Sequence, residues 1–255
     1  MSEDIIIEAR NLRTAFGEHV VHQHLDLQIR RGEILGLVGG SGTGKSVLLN
    51  TVLGLKSADG GDILFEGRSM AAMSNEERRL IESRWGVLFQ NGALFSALTV
   101  KENVMAPMRE HVELSARLME EIADMKIGLA GLPPEAGNRF PSELSGGMRK
   151  RAALARSLAL DPSVLFLDEP TAGLDPIGAA AFDSLILELS RALGLTVFMI
   201  THDLDSLHAI CDRVAVLADK KVEAVAPIPE LMRHPHPWIQ EYFNGPRGRA
   251  AQAGL

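Results

Sequence analysis

The chain has 255 residues, 46% of them hydrophobic and 23% charged, with a formal net charge of −7; that is enough to bury a sizeable core as one large domain or two small ones. The acidic balance speaks against a broad nucleic-acid-binding surface, which needs clustered Lys and Arg, and against holding anionic lipid by charge alone. One cysteine, Cys211, excludes an intrachain disulfide, acidic Glu3 and Asp4 before the first apolar run are unlike a secretory signal, and no uninterrupted apolar stretch reaches the roughly 18 residues of a transmembrane helix, so a cytoplasmic location is expected.

In chain order, residues 5–7 are β-branched and read as strand, and Leu25, Leu27 and Ile29 alternate with Asp26, Gln28 and Arg30, the period-2 pattern of a half-buried strand. Residues 33–38 form an apolar run ending in glycines, and residues 45–55 follow as a helix. Residues 62–66 return to strand. Ser74 with Glu77, and Thr99 with Glu102, are capping-box pairs that open helices. Between them residues 87–90 read as strand. A mostly helical stretch, rich in Met, Leu, Ala and Glu, runs to about Gly131 and is broken by Pro133 and Pro134. Ser145 opens a helix to about Leu160, and residues 164–167 are a wholly apolar central strand. Asp175-Pro176 supplies an N-cap and a first-position proline for the next helix. Residues 196–200 are a buried strand, 204–210 a short helix, and 214–217 with 222–225 a hairpin around Asp219-Lys220-Lys221. Residues 246–255 lack periodicity and are expected to be a disordered tail. Strands alternating with helices imply a mainly parallel α/β sheet, with a helical insertion at about 91–160 in one domain over 5–245.

Residues 39–46 read GGSGTGKS: Gly39, Gly40, Ser41, Gly42, Thr43, Gly44, Lys45 and Ser46, with Val47 next in the helix. The pattern G-x-x-x-x-G-K-[ST] lies between strand and helix, as phosphate binding requires. The glycines let backbone N–H groups turn into one concavity, and the helix N-terminus adds its positive dipole end. Lys45 brings a full charge to the phosphates, and the Ser46 hydroxyl suits Mg²⁺. Residues 164–169 read VLFLDE. This puts Asp168 at the ligand-facing end of a parallel strand, suited to Mg²⁺, with Glu169 beside it to polarise an attacking water. His202, in Thr201-His202-Asp203, ends another apolar strand and can donate to a γ-phosphate; alone, such a histidine is more often structural. Leu144 to Met148 read LSGGM, followed by Arg149, Lys150 and Arg151. Here Ser145 stands at a helix N-terminus beside Gly146 and Gly147, a second anion-binding arrangement or a simple cap.

GGSGTGKS, Gln90, LSGGM, VLFLDE, Gly173-Leu174-Asp175 and His202, in that order, resemble the ABC transporter ATPase family over about residues 5–245. The resemblance implies a P-loop NTPase (RecA-like) core with an N-terminal antiparallel β subdomain and a helical signature subdomain. It also implies ATP hydrolysis and a head-to-tail dimer in which one chain's signature closes over the ATP on the other's glycine loop. By position, Gln90 would be the Q-loop residue sensing Mg²⁺ and water, and Ser145, Gly146 and Gly147 the contact to the partner's γ-phosphate. Asp168 would be the Walker B aspartate, Glu169 the catalytic base, Asp175 the D-loop residue and His202 the switch histidine. Phe16, in Ala15-Phe16-Gly17, matches the aromatic that stacks on adenine, keeping the face of the more usual tyrosine without its hydroxyl.

The stretch Leu88-Phe89-Gln90-Asn91-Gly92-Ala93-Leu94-Phe95, with Pro107-Met108-Arg109-Glu110, Pro141-Ser142-Glu143 and Ala218-Asp219-Lys220-Lys221, is similar to the Mla-type (Mkl-like, toluene-tolerance) phospholipid transport ATPases. That resemblance implies two copies on an integral membrane permease (MlaE-like), with a STAS-domain protein (MlaB-like) and a lipid-binding MCE-domain protein (MlaD-like). The cargo would be phospholipid moved between inner and outer membranes, and the chain would sit peripherally on the cytoplasmic face of the inner membrane. Leu94, Phe95 and Leu98 either line the groove for the permease or belong to the core. The alternative function is the ATPase of an importer for amino acids or another small solute.

Overall fold

The computed structural model describes residues 4–246, which divide into two compact units, one comprising the chain up to Arg78 together with that from Phe198 onward, the other Arg79–Val197. In chain order the elements are β1 (Ile5–Phe16), β2 (His19–Arg30), β3 (Ile34–Gly39), α1 (Lys45–Val52), β4 (Gly60–Phe65), β5 (Arg68–Ser69), α2 (Asn75–Glu82), β6 (Trp85–Leu88), α3 (Val100–His111), α4 (Ala116–Leu129), α5 (Gly146–Ser157), β7 (Val164–Asp168), α6 (Pro176–Leu193), β8 (Thr196–Ile200), α7 (Leu204–Ile210), β9 (Arg213–Ala218), β10 (Lys221–Ala226), α8 (Ile228–Leu231) and α9 (Pro237–Asn244). The expectation of a disordered tail falls mostly outside the described residues.

In the first unit an antiparallel sheet runs β2-β1-β4-β5. Its two long strands far exceed the short runs legible in the sequence. Both are twelve residues long, because cross-strand pairing from Ile5↔Arg30 to Phe16↔His19 carries polar positions along with apolar ones. Register shifts accompany Asn11, which sits at φ +47 and whose N–H donates to Asp26 at 2.7 Å. Elsewhere in this unit β3 pairs in parallel with β9, and β9 with β10 as a hairpin, turning on Asp219 and Lys220 at positive φ. Helices α7, α8 and α9 cover them, burying Leu207, Leu231, Ile239 and Phe243 against Val38, Val214 and Val216.

The second unit holds β6 parallel to β7 and the helices α3, α4 and α5, which pack on one another through residues such as Val104, Ile127 and Leu154. The capping box at Thr99 and Glu102 forms as its spacing predicts, as does that at Ser74 and Glu77 in the first unit; each contributes about 1 kcal/mol. The helical stretch breaks at residues 112–115 into α3 and α4. The strand expected at 87–90 occupies 85–88 instead, since Gly92 N–H closes a turn on the Phe89 carbonyl at 2.7 Å and takes Gln90 off the ladder. The chain passes from the second unit back to the first within β8. Among the described residues no helix is long and apolar enough to cross a membrane.

Candidate nucleotide site

In the first unit the buried strand β3 runs straight into the glycine loop, and α1 begins at Lys45. Gly42 and Gly44 hold φ +76 and +101, a region that residues with a Cβ rarely adopt. At Gly39 a Cβ would lie 2.6 Å from the Leu217 carbonyl oxygen, so only glycine fits there. The start of α1 has no side-chain cap and no acidic residue in its first turn, leaving its N–H groups and dipole for an anion. Lys45 Nζ donates to the carbonyls of Gly39 at 2.8 Å and Gly40 at 3.0 Å, which places the ammonium over the loop. Ser46 and Val47 lie in the same first turn.

Beneath the loop lies His22, fully buried. Its Nδ1 is 2.7 Å from Thr14 Oγ1, and its Nε2 faces Gly44 without a hydrogen-bond partner. Burial pushes its pKa down to about 4, the nearby Gly44 backbone opposing the shift and the Lys56 charge adding to it. Phe16, at the end of β1, is 59% exposed, which favours a stacking platform over a core role. Lys56 Nζ lies 5.0 Å from its ring centroid.

His202 follows β8, whose end lies beside β3 through Thr201 N–H and the Leu37 carbonyl at 3.4 Å. Asp203 caps α7 through the Asp205 N–H. Tyr242 Oη donates to the His202 carbonyl at 3.1 Å, and its ring stacks on Trp238 with centroids 4.7 Å apart. Trp238 in turn approaches Gly40, its Nε1 lying 3.6 Å from where a Cβ would be. Helix α9 therefore braces both the glycine loop and the histidine.

In the second unit Asp168 ends β7 and Glu169 follows at φ +48, a strained conformation for a side-chain-bearing residue. Lys150 Nζ donates to the Glu169 carbonyl at 3.0 Å and to the Gln90 carbonyl in a short bond. Burial pushes the Lys150 ammonium below the usual lysine range, with Asp168 and Glu169 acting against that shift. Ser145 caps α5, its Oγ accepting from Met148 N–H at 3.2 Å, and stands at the helix tip beside Gly146 and Gly147. A Cβ on Gly147 would lie 3.8 Å from Leu174, bringing the 173–175 segment beside the signature. Asp175 caps α6 through Gly178 N–H at 2.9 Å. Leu94 and Leu98 are half-buried while Phe95 is 57% exposed, so none of the three lies in the buried core.

The first unit thus contains Phe16, residues 39–47 and His202, and the second contains Gln90, Ser145, Asp168, Glu169 and Asp175, of which Gln90 and Glu169 are joined through Lys150. Sequence reasoning passed over Thr14 and His22, which meet across the β1–β2 pair, and Trp238 and Tyr242, which reach Gly40 and His202 from far along the chain. It also passed over Lys150, for which a signal existed. Three consecutive cations, Arg149-Lys150-Arg151, stand about 100° apart around one helix and so do not share a single solvent face.

Residues 22–172 match the ABC transporter family. Over 240 residues the chain is 39% identical to the intermembrane phospholipid transport system ATP-binding protein MlaF of Haemophilus influenzae, covering 94% of this chain and 90% of that protein. It is 36% identical to the probable ribonucleotide transport ATP-binding protein mkl of Mycobacterium leprae, covering 97% and 71%. Among solved structures it is similar to a dimeric ATP-binding cassette in a post-hydrolysis state bound to ADP and Pi, with a TM-score of 0.79, 28% identity and coverage of 87% and 98%. With the glycine loop, the signature helix and the Asp168-Glu169 strand end in place, the chain belongs to the ABC transporter family and is one of its ATP-binding, ATP-hydrolysing subunits.

Proposed function

We propose that this ATPase energises phospholipid transport between two membranes, working as a head-to-tail pair on the cytoplasmic face of the inner membrane. The observation that carries this reading is the likeness along 94% of the chain to a phospholipid-system ATPase. In the proposed cycle the γ-phosphate bridges Lys45 of one chain and Ser145 of the other. ATP then adds contacts only in the closed pair, and that differential affinity shifts the population toward closure. Gln90 and His202 orient the water, Glu169 takes its proton, and loss of the γ-phosphate reopens the pair. Phe16 stacks on adenine, with Gly39, Gly40, Ser41, Gly42, Thr43, Gly44 and Val47 around the phosphates and Asp175 at the pair's seam.

The uncapped start of α1, free of acidic side chains, fits a magnesium–phosphate pair, with Ser46, Gln90 and Asp168 as its protein ligands. When bound, Mg²⁺ offsets the charge that builds on the phosphate oxygens during transfer. The partners in this reading are an MlaE-like permease received near the exposed Phe95, an MlaB-like STAS-domain protein and an MlaD-like MCE-domain protein.

The test is affinity purification of the tagged chain from detergent-solubilised membranes, followed by ATPase assays. A permease, an MCE-domain protein and bound phospholipid are expected. Recovery with a solute-binding protein and no lipid would overturn the phospholipid reading. Glu169→Gln is expected to bind ATP and stay paired without turnover, and parental turnover would overturn the base assignment. Lys45→Ala is expected to lose nucleotide affinity.

A further inference from the structure

We infer that Lys150 is a positioning residue for ATP hydrolysis: its ammonium locks the Gln90 and Glu169 backbones together and fastens both to the signature helix α5. The inference rests on the proposed roles of Gln90 and Glu169 and adds what holds them in place.

The geometry follows from strand register. Strands β6 and β7 are parallel, and their last matched positions are Leu88 and Leu167. Gln90 and Glu169 each stand two residues beyond that pair, where the ladder has ended. Lys150 Nζ, on a side chain that is almost fully buried, donates to both of their carbonyls. One ammonium thus does beyond the strand ends what ladder hydrogen bonds do within them. Placing a cation there costs desolvation, which two carbonyls and the nearby Asp168 and Glu169 charges offset.

The contact also addresses strain. Glu169 is held at φ +48, and its carbonyl accepts from both Lys150 Nζ and the Ala172 N–H at 3.2 Å. A carbonyl engaged twice pins the peptide plane and hence the direction of the Glu169 side chain. Further along α5 the same device recurs. Arg156 donates to the carbonyls of Ala93 at 2.6 Å and Gly92 at 2.8 Å, both residues being at positive φ. Between the two cations Ala153 packs under Gly92. Residues 90–93 are therefore carried on α5, the helix whose tip is Ser145. Displacement of Gln90 moves Ser145 and Glu169 with it, because all three share one buried anchor.

The experiment compares Lys150→Met, Lys150→Gln and Glu169→Gln in the full-length protein, measuring kcat, ATP affinity and amide hydrogen exchange. Lys150→Met is expected to lower kcat tenfold or more with ATP affinity within twofold of parental, and to raise exchange at 90–93 and 169–172 together while α3 and α4 stay protected. Lys150→Gln, which retains a neutral donor, is expected to recover part of the rate and part of the protection. Parental kcat in Lys150→Met, or a reduced rate without faster exchange in both segments, overturns the inference. Should Lys150→Met fail to fold, Lys150→Gln decides: exchange raised in both segments supports it and parental exchange overturns it. Parental turnover in Glu169→Gln would instead sink the base assignment, and the exchange result would stand apart from it.

Discussion

Gly44 and His22 face each other at closest approach: a Cβ on Gly44 would lie 2.5 Å from His22 Nε2, and Gly44 itself holds φ +101. Space and backbone conformation both demand glycine. Gly44→Ala is expected to weaken ATP binding at least tenfold by isothermal titration calorimetry and to cost about 1–3 kcal/mol of stability. Adding His22→Ala removes that contact but leaves both the φ penalty and an equally close approach to Val21 Cγ1 at 2.5 Å, so the double variant should recover only part of the loss.

His22 also makes stability depend on pH. Its folded pKa of about 4 lies below the ordinary histidine value of 6.5. The unfolded chain therefore binds more protons between those values. The contribution is fully present above pH 6.5 and is lost as pH falls toward 4, up to about 3 kcal/mol in all. Denaturant titrations across pH 4–7 check this. His22→Phe should flatten that part of the profile, and an unchanged slope would show that the ring is not held neutral.

Tyr242 reaches the His202 carbonyl with an exposed hydroxyl. Tyr242→Phe keeps the stack on Trp238 and removes only that bond, worth about 1 kcal/mol. If the bond steadies His202 during turnover, kcat should drop severalfold with melting temperature nearly unchanged. A parental kcat would confine Tyr242 to packing.

Asn103, fully buried on α3, closes the turn that displays Phe95. Its Oδ1 accepts from Phe95 N–H at 2.8 Å, and its Nδ2 donates to the carbonyls of Phe95, Leu98 and Thr99 at 3.1, 3.1 and 2.9 Å. Asn103→Ala should cost about 1–3 kcal/mol, because the Phe95 N–H and the Leu98 carbonyl lose this partner, while the Phe95 and Thr99 carbonyls keep a backbone donor. Limited proteolysis should then cut at 95–98. Asn103→Asp should be at least as damaging, since a carboxylate cannot donate to three carbonyls.

The glycine loop, the helix caps at Thr99, Ser145 and Asp175, and the strand ending in Asp168 were legible in the sequence because each is built from residues within a few positions of one another. The lengths of β1 and β2 were not, because pairing with a neighbour rather than local apolar alternation sets where those strands stop. The family followed from the order of motifs along the chain, which needs no coordinates.

What the sequence determined by itself is thus the set of local devices: where an anion can bind, where helices start and which carboxylates end a strand. Spacing fixes these through short-range backbone geometry. Only the tertiary structure decided that Lys150 joins Gln90 to Glu169, that His22 lies under Gly44 and that Tyr242 holds His202. Those partners stand 19 to 60 residues apart, and a buried cation or a neutral imidazole is chosen by the packing that surrounds it, which no local pattern encodes.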